Sequence, residues 1–170
     1  MIPSRRPPPF PEKTPHVRIV NGADVVFWNA DKSYLFELET AGFPISKTTF
    51  VDRRRHSTSS LRELLQSLDH KRVVIKPSVS ASCHLTHLVK NPKSLCLDDE
   101  AFLEKILNED GYLGSIIVQE YEEAITKGEY SLVYIGGELT FAMIKKLASG
   151  EFRVNGIWGP ILRCTRSRRS

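Results

Sequence analysis

The feature that most constrains the fold is a pair of β-rich runs joined through two glycines. The runs are Tyr130–Ile135 and Leu139–Ile144, and the glycines between them are Gly136 and Gly137. Two consecutive glycines allow the positive backbone angles of a two-residue turn, so the sequence predicts an antiparallel β-hairpin. This hairpin excludes an all-helical fold.

Upstream of the hairpin, helical and strand patterns alternate, which together with the hairpin predicts an α+β fold. Three helices are predicted: one capped by Asn29 or Asp31, one opened by a capping box at Ser60-Leu61-Arg62-Glu63, and one starting at Leu97 with acidic residues in its first turn. Strands are predicted at Val17–Val26 (two short strands around Asn21-Gly22), Ser46–Val51, Arg72–Lys76 and Ser115–Gln119, with a loop over Pro77–Leu88.

Charge and composition limit the partners that this chain is expected to bind. The segments 1–16 and 161–170 together carry seven basic residues and one acidic residue, which leaves 17 basic and 19 acidic residues in the body. Since a nucleic-acid-binding domain usually spreads basic residues over a folded face, we expect no nucleic acid partner. No run of about 18 apolar residues is present, so no membrane partner is expected either. Three scattered cysteines and no apolar leader favour the cytoplasm.

The first 16 residues contain six prolines, which excludes helix and central strand there. We expect residues 1–16 to be a disordered leader. Within it, Arg5-Arg6-Pro7-Pro8-Pro9-Phe10-Pro11 also fits a polyproline ligand for a Pro-recognising domain.

Four segments carry residues suited to binding an anionic nucleotide. Lys76 ends an apolar strand, and the loop after it, Ser78–Thr86, is rich in small hydroxyl residues that let the backbone approach a phosphate. The strand ending at Gln119-Glu120-Tyr121 offers a polar, partly aromatic segment to a base. Glu129, Lys145, Arg153 and Asn155 are suited to ribose hydroxyls and phosphate oxygens.

The order of these segments resembles the ATP-grasp superfamily over about residues 24–155. Within it, the chain is most similar to the ATP-binding domains of prokaryotic-type glutathione synthetase and D-cycloserine synthetase-like ligases. The segments that carry the resemblance are Trp28-Asn29-Ala30-Asp31-Lys32-Ser33-Tyr34-Leu35, Val74-Ile75-Lys76-Pro77-Ser78-Val79-Ser80-Ala81 and Gly150-Glu151-Phe152-Arg153-Val154-Asn155.

The resemblance implies an ATP-grasp fold, in which two α+β subdomains clamp ATP, and a carboxylate–amine ligase that forms an acyl phosphate with ATP and Mg²⁺. By this resemblance, the catalytic residues are Lys145 and Arg153, which face the transferred phosphate or the carboxylate substrate. The implied nucleotide-binding residues are Lys32, Lys76, Ser80 and Ser82 near the phosphates (Lys76 also near the adenine), Gln119, Glu120 and Tyr121 at the adenine edge, Glu129 at the ribose, and Asn155.

The chain departs from the family pattern at both ends and in its loop. Cys83-His84-Leu85 stand where the family's loop usually contains glycine, and no acidic residue follows Glu151. We therefore expect no metal-ligating residue in this chain, and weak or absent ligase activity from a truncated domain. The expected division is a leader at 1–16, a remnant of a preceding α/β domain at 17–26, an incomplete ATP-grasp domain at 27–155 and a basic, disordered tail at 156–170.

Three alternatives remain open at this point. In the first, the chain is a non-catalytic nucleotide- or protein-binding module derived from an ATP-grasp enzyme. In the second, it is a fragment without a function of its own. The third is a zinc site. The motif Cys83-His84-x-x-His87 supplies three ligands suited to zinc within five residues, although no fourth ligand is evident.

Overall fold

A computed structural model describes residues 20–111, 114–146 and 163–166, the last four by their backbone alone. These residues form a mixed helix and strand fold. The helices are α1 (Ala23–Ala30), α2 (Tyr34–Thr40), α3 (Thr58–Ser67) and α4 (Leu97–Asn108). The strands are β1 (Thr48–Val51), β2 (Val73–Pro77), β3 (His87–Val89), β4 (Ile116–Glu120), β5 (Glu129–Ile135), β6 (Glu138–Lys145) and β7 (Arg163–Arg166).

The first four strands form one antiparallel sheet in the order β1-β4-β2-β3. Successive residues of a strand point to opposite faces, and one face of this sheet packs on α3 and α4. The predicted strands at Ser46–Val51, Arg72–Lys76 and Ser115–Gln119 are confirmed to within two residues. The predicted loop over Pro77–Leu88 is wrong at its end, because His87 and Leu88 pair with Ile75 and Val74 as part of β3.

A hydrophobic core lies between this sheet and the two helices. Each helix contributes a pair of buried side chains spaced three or four residues apart, as one helical face requires. The buried core residues are Val51, Leu61, Leu65, Val73, Ile75, Val89, Leu103, Ile106, Ile116 and Val118.

The N-cap of helix α3 lies three residues before the predicted capping box. The N-cap is Ser57, whose hydroxyl accepts the N–H of Ser60 at 3.3 Å, while the Ser60 hydroxyl accepts the N–H of Ser57 at 2.9 Å. The prediction at Ser60-Leu61-Arg62-Glu63 is wrong in position because a serine takes the role that glutamate usually has at the third position.

The predicted strand pair at Val17–Val26 is wrong for residues 23–26, which begin α1. The carbonyl of Gly22 accepts the N–H of Val26 at 3.1 Å and closes the first turn. The Trp28 ring packs on Tyr34 with ring centres 4.9 Å apart, and its Nε1 donates to Glu37 at 2.7 Å. These contacts between α1 and α2 outweigh the strand propensity of the valines.

The remaining strands form a second antiparallel sheet in the order β5-β6-β7. The predicted hairpin is confirmed: Gly136 and Gly137 have φ of 61° and 84°, and Ile135 pairs with Glu138 across the turn. The prediction of a disordered tail at 156–170 is wrong for Arg163–Arg166. These residues form β7 because the free edge of β6 offers unpaired backbone groups.

Two other predictions concern the N-terminal leader and the absence of a membrane-spanning segment. The Pro-rich leader at 1–16, with its polyproline ligand motif, is outside the described residues. Within the described part of the chain, no helix combines the length and apolar character needed to cross a membrane.

Candidate functional site

A cleft of about 570 Å³ lies against the face of the first sheet that is turned away from the core. This volume is within the usual range for small-molecule sites. Its walls come from β2, the loop 78–86, the end of β4 and the segment that leads into β5. Eight residues predicted from the sequence line it together: Lys32, Lys76, Ser80, Ser82, Gln119, Glu120, Tyr121 and Glu129.

The alternation of β2 explains how one strand serves both the core and the cleft. Val73 and Ile75 are fully buried against the helices, whereas Val74 and Lys76 are half-buried and line the cleft. Residues two apart in a strand share a face. The apolar run Val73-Val74-Ile75 therefore fixes Lys76 on the cleft side of the sheet.

Lys32 reaches the cleft from the turn before α2. Its backbone N–H donates to the carbonyl of Ser78 at 2.9 Å, and its Nζ donates to the carbonyls of Ser78 (3.3 Å) and Ser80 (3.1 Å). The Ser78 side chain is buried and its Oγ accepts the N–H of Ser115 at 3.0 Å. Ser78 therefore links the end of β2 to Ser115, just before β4, and also to Lys32, the second lysine of the cleft.

Both cleft lysines hold their positive charge less readily than lysine in water. Burial lowers the pKa of Lys32. Burial also lowers the pKa of Lys76, and the positive charge of Lys32 lowers it further. An anion bound between the two ammonium groups would counter both effects, since a nearby opposite charge favours the protonated form of lysine.

The loop 78–86 adopts a backbone that usually requires glycine. Ser82, Cys83 and Leu85 have φ of 50°, 58° and 50°, in the left-handed region that costs most L-residues about 1 kcal/mol or more. The sequence contains no glycine in this loop. The backbone nevertheless adopts glycine-like angles at three positions of the loop.

Gln119 uses its side chain within the sheet. Its Oε1 accepts from Lys76 Nζ at 2.9 Å, and its Nε2 donates to the Thr48 hydroxyl at 2.8 Å. Gln119 is paired with Thr48 on one side and Val74 on the other, and Lys76 is its diagonal neighbour. The amide therefore links a cleft lysine to strand β1.

The segment after β4 forms the opposite wall of the cleft. The backbone N–H of Glu120 donates to the carbonyl of Lys47 at 2.9 Å, and that of Tyr121 donates to the carbonyl of Arg72 at 3.0 Å. The guanidinium of Arg72 also lies 4.8 Å from the centre of the Tyr121 ring and binds Glu123. Among the described residues, the N–H of Glu122 donates to no acceptor.

Glu129 begins β5 at the edge of the cleft. It is paired with Lys145 of β6, whose Nζ lies 3.5 Å from Glu129 Oε1. The predicted residue Lys145 is thus beside the cleft and not among the residues that line it. The other predicted catalytic residue, Arg153, and the predicted binding residue Asn155 lie outside the described residues.

Sequence reasoning did not single out half of the cleft lining. Val74 was recoverable from the alternation of β2, whereas the short 3-10 helix at Glu123–Lys127 has no clear sequence signal. The lining residues without an individual prediction are Ser46, Val74, Cys83, Thr86, Glu122, Ala124, Ile125 and Gly128, of which Cys83 and Thr86 lie in the loop predicted to approach a phosphate.

Within the described residues, no group of three or more His, Cys, Asp or Glu side chains is arranged to hold a metal ion. The zinc alternative at Cys83-His84-x-x-His87 gains no support, because His87 Nε2 is 2.7 Å from Asp99 Oδ1 and its ring stacks on Phe102.

Comparisons with known proteins find a similarity to DcsG both by sequence and by structure. No family model matches the chain. The chain is 27% identical over 139 residues to the cycloserine biosynthesis protein DcsG of Streptomyces lavendulae, which covers 80% of this chain and 45% of that protein. The crystal structure of D-cycloserine synthetase DcsG matches with a TM-score of 0.66 and 22% identity, over 85% of this chain and 48% of that one.

These comparisons show that the chain has a fold like that of DcsG. The chain spans about half the length of the relatives that it matches.

Proposed function

We propose that the cleft binds the nucleotide of an ATP-grasp carboxylate–amine ligase. The observation that carries the proposal is the pair of half-buried lysines, Lys32 and Lys76, that face one cleft with lowered pKa values. Similarity to a synthetase of cycloserine biosynthesis supports ligase chemistry as the reaction class.

The phosphates would lie at the end of the cleft formed by Lys32 and the loop 78–86. Lys32 already holds the carbonyl and hydroxyl of Ser80, and Ser82 lines the same end. A lysine ammonium, hydroxyl groups and an irregular loop backbone are the donors that commonly bind phosphate oxygens in proteins.

The base would lie at the opposite end, near Gln119, Tyr121 and Glu122. The N–H groups of Glu120 and Tyr121 are bound to carbonyls, so they are not available to a base. Of this segment, the N–H of Glu122 is the donor that we assign to an acceptor nitrogen of the base. Glu129 is suited to accept from ribose hydroxyls at the cleft edge.

Phosphoryl transfer from ATP normally uses Mg²⁺ to neutralise charge on the phosphates, and the described residues contain no carboxylate cluster suited to hold it.

The proposal is tested by thermal unfolding of the whole chain with and without Mg-ATP. A ligand at about 100 times its Kd adds roughly 2.7 kcal/mol to stability. For a chain of this size, that increment raises Tm by about 5–10 °C. We expect Lys76→Ala to weaken ATP binding by about tenfold or more, because it removes a charge-assisted hydrogen bond.

The matched control is Lys105→Ala, which removes an exposed lysine of α4 that does not line the cleft. This variant should retain the full shift in Tm. If Mg-ATP does not raise Tm, or if it raises the Tm of Lys76→Ala as much as that of the wild type, the cleft is not the nucleotide site.

Ligation and simple binding are distinguished by ATP turnover. The alternative of a non-catalytic nucleotide-binding module predicts a shift in Tm without consumption of ATP over a panel of carboxylates and amines. Formation of ADP and phosphate that requires both a carboxylate and an amine would favour the ligase.

A further inference from the structure

Thr48 is a polar residue of the first sheet that the proposed function does not use. It does not line the cleft, yet its hydroxyl bonds to Gln119, which does. Strand pairing places Thr48 directly opposite Gln119, and β1 forms the edge of the sheet at this point. The contact is therefore fixed by the register of the two strands.

The two partners of the Thr48 hydroxyl fix which hydrogen bond it donates and which it accepts. Its Oγ1 lies 2.7 Å from the carbonyl of Ser46, and a carbonyl can only accept, so the single hydroxyl proton is donated there. The hydroxyl can then only accept from Gln119, whose Nε2 lies 2.8 Å away. The amide nitrogen of Gln119 must face Thr48.

The same orientation is required at the other end of the amide. Lys76 Nζ lies 2.9 Å from Gln119 Oε1, and an ammonium group can only donate. Two independent partners thus direct Oε1 toward the cleft. Side by side, Gln119 Oε1 and Lys76 Nζ present an acceptor and a donor.

This pair of an acceptor and a donor complements the edge of a 6-amino purine and is unfavourable for the edge of a 6-oxo purine. Adenine carries an amino donor at position 6 beside the acceptor N7, whereas a 6-oxo purine carries two acceptors there. A 6-oxo group facing Gln119 Oε1 would bring two acceptors together. Rotating the amide to avoid this contact would break the bond that Thr48 accepts.

We propose that Thr48 is a positioning residue that selects 6-amino over 6-oxo purine nucleotides by fixing the amide orientation of Gln119. This inference rests on the proposed nucleotide site and adds a basis for its specificity. Thr48 acts through Gln119 and does not contact the nucleotide.

The test compares the affinities of ATP and inosine 5′-triphosphate, whose bases differ at the 6-position and at N1, which is an acceptor in adenine and a donor in the 6-oxo base. The measured quantity is the ratio of the two Kd values in the whole chain. We expect the wild type to prefer ATP by about fivefold or more, the lower range for one such base contact. Thr48→Val keeps the side-chain shape and removes the hydroxyl, so the preference should fall severalfold.

Two variants separate this role from a general effect on the sheet. Thr48→Ser retains the hydroxyl and should restore the preference. Thr49→Val makes the same chemical change at the next residue of β1, whose hydroxyl forms no hydrogen bond among the described residues, and should behave as wild type. Gln119→Leu removes the amide and should reduce the preference even where Thr48→Val does not fold.

A lower ratio in Thr48→Val that returns in Thr48→Ser supports the inference. A ratio that stays unchanged in Thr48→Val or Gln119→Leu while ATP still binds overturns the inference and leaves the nucleotide site intact. Equal binding of the two nucleotides by the wild type does the same. If the wild type binds neither nucleotide, both proposals fail.

Discussion

Asp99 shows how a single buried carboxylate is stabilised in this fold. Its side chain lies beside His87, with 2.7 Å between Oδ1 and Nε2, and its Oδ2 accepts the N–H of Cys96 at 3.0 Å. Burial alone would raise the pKa of Asp99, but these hydrogen bonds outweigh it and the pKa is lowered. The residue therefore joins the start of α4 to β3 in its ionised form.

We expect Asp99→Asn to lower the free energy of unfolding by about 1–2 kcal/mol at pH 7, because a charged hydrogen-bond acceptor is lost. A carboxylate with a lowered pKa in the folded state stabilises above its unfolded pKa of about 3.9. That stabilisation disappears as the pH falls through the folded pKa. The difference between wild type and variant should therefore shrink from pH 5 toward pH 2, as measured by urea unfolding.

Asp98→Asn is the matched control, since Asp98 is exposed in the same first turn of α4. It loses the favourable interaction with the helix dipole, worth about 0.3–1 kcal/mol, and little else. Equal losses in the two variants, with equal dependence on pH, would contradict the role given to the buried pair.

At the scale of elements, the entry into β5 depends on Gly128. Its φ is 121°, and a Cβ there would lie 2.8 Å from the side chain of Ile144 and 3.2 Å from the carbonyl of Lys145. Gly128 lines the cleft immediately before Glu129. The start of the second sheet and one wall of the cleft therefore share this residue.

We expect Gly128→Ala to destabilise the chain by more than about 1 kcal/mol, since it combines an unfavourable φ with close contacts to β6. The control is Gly42→Ala, where φ is 84° and no atom lies within 4 Å of a Cβ. Thermal unfolding of both variants compares a positive-φ glycine that has close contacts with β6 to one that has none. If Gly128→Ala loses no more stability than Gly42→Ala, the contacts with β6 do not destabilise a side chain at residue 128.

At the scale of the whole molecule, stability is concentrated in one part of the fold. The described core belongs to the first sheet, α3 and α4, and no described side chain of β5 or β6 is buried. Tyr130 and Tyr134 of β5 are 71% and 59% exposed. Segments with few buried apolar contacts open more readily than the core.

We therefore expect backbone amides of β5 and β6 to exchange with deuterium much faster than those of β2 and β4. If the cleft binds a nucleotide, bound ATP should slow exchange near the Glu129 end of β5 and leave the core amides unchanged. Hydrogen exchange with mass spectrometry measures both effects. Uniform protection across the two sheets would contradict this division.

Features that depend on local interactions were predicted from the sequence, whereas features that depend on contacts between separate elements were missed. The hairpin at Gly136-Gly137 and the buried strand before Lys76 were predictable because turn chemistry and apolar runs act locally. Helix α1 was missed because its support comes from Trp28 packing on α2, and β7 was missed because its partner is β6.

Half of the residues that line the candidate cleft were predictable from the sequence, but the contacts among them were not. The motif order indicated Lys76 and Gln119 separately. Their mutual hydrogen bond, and the bond from Gln119 to Thr48, depend on a strand order in which β4 lies between β1 and β2. No local pattern specifies that order, since it arises when distant strands pair.

The alternation along β2 and β4 has a consequence for how such a protein can evolve. Val73, Ile75 and Val118 support the fold from one face of the sheet, while Val74, Lys76 and Gln119 determine from the other face what the cleft can hold. If the cleft binds a ligand, mutations on this face should change ligand preference with little disturbance of the core packing. A lineage built on this sheet is therefore free to explore new ligands without first losing its scaffold.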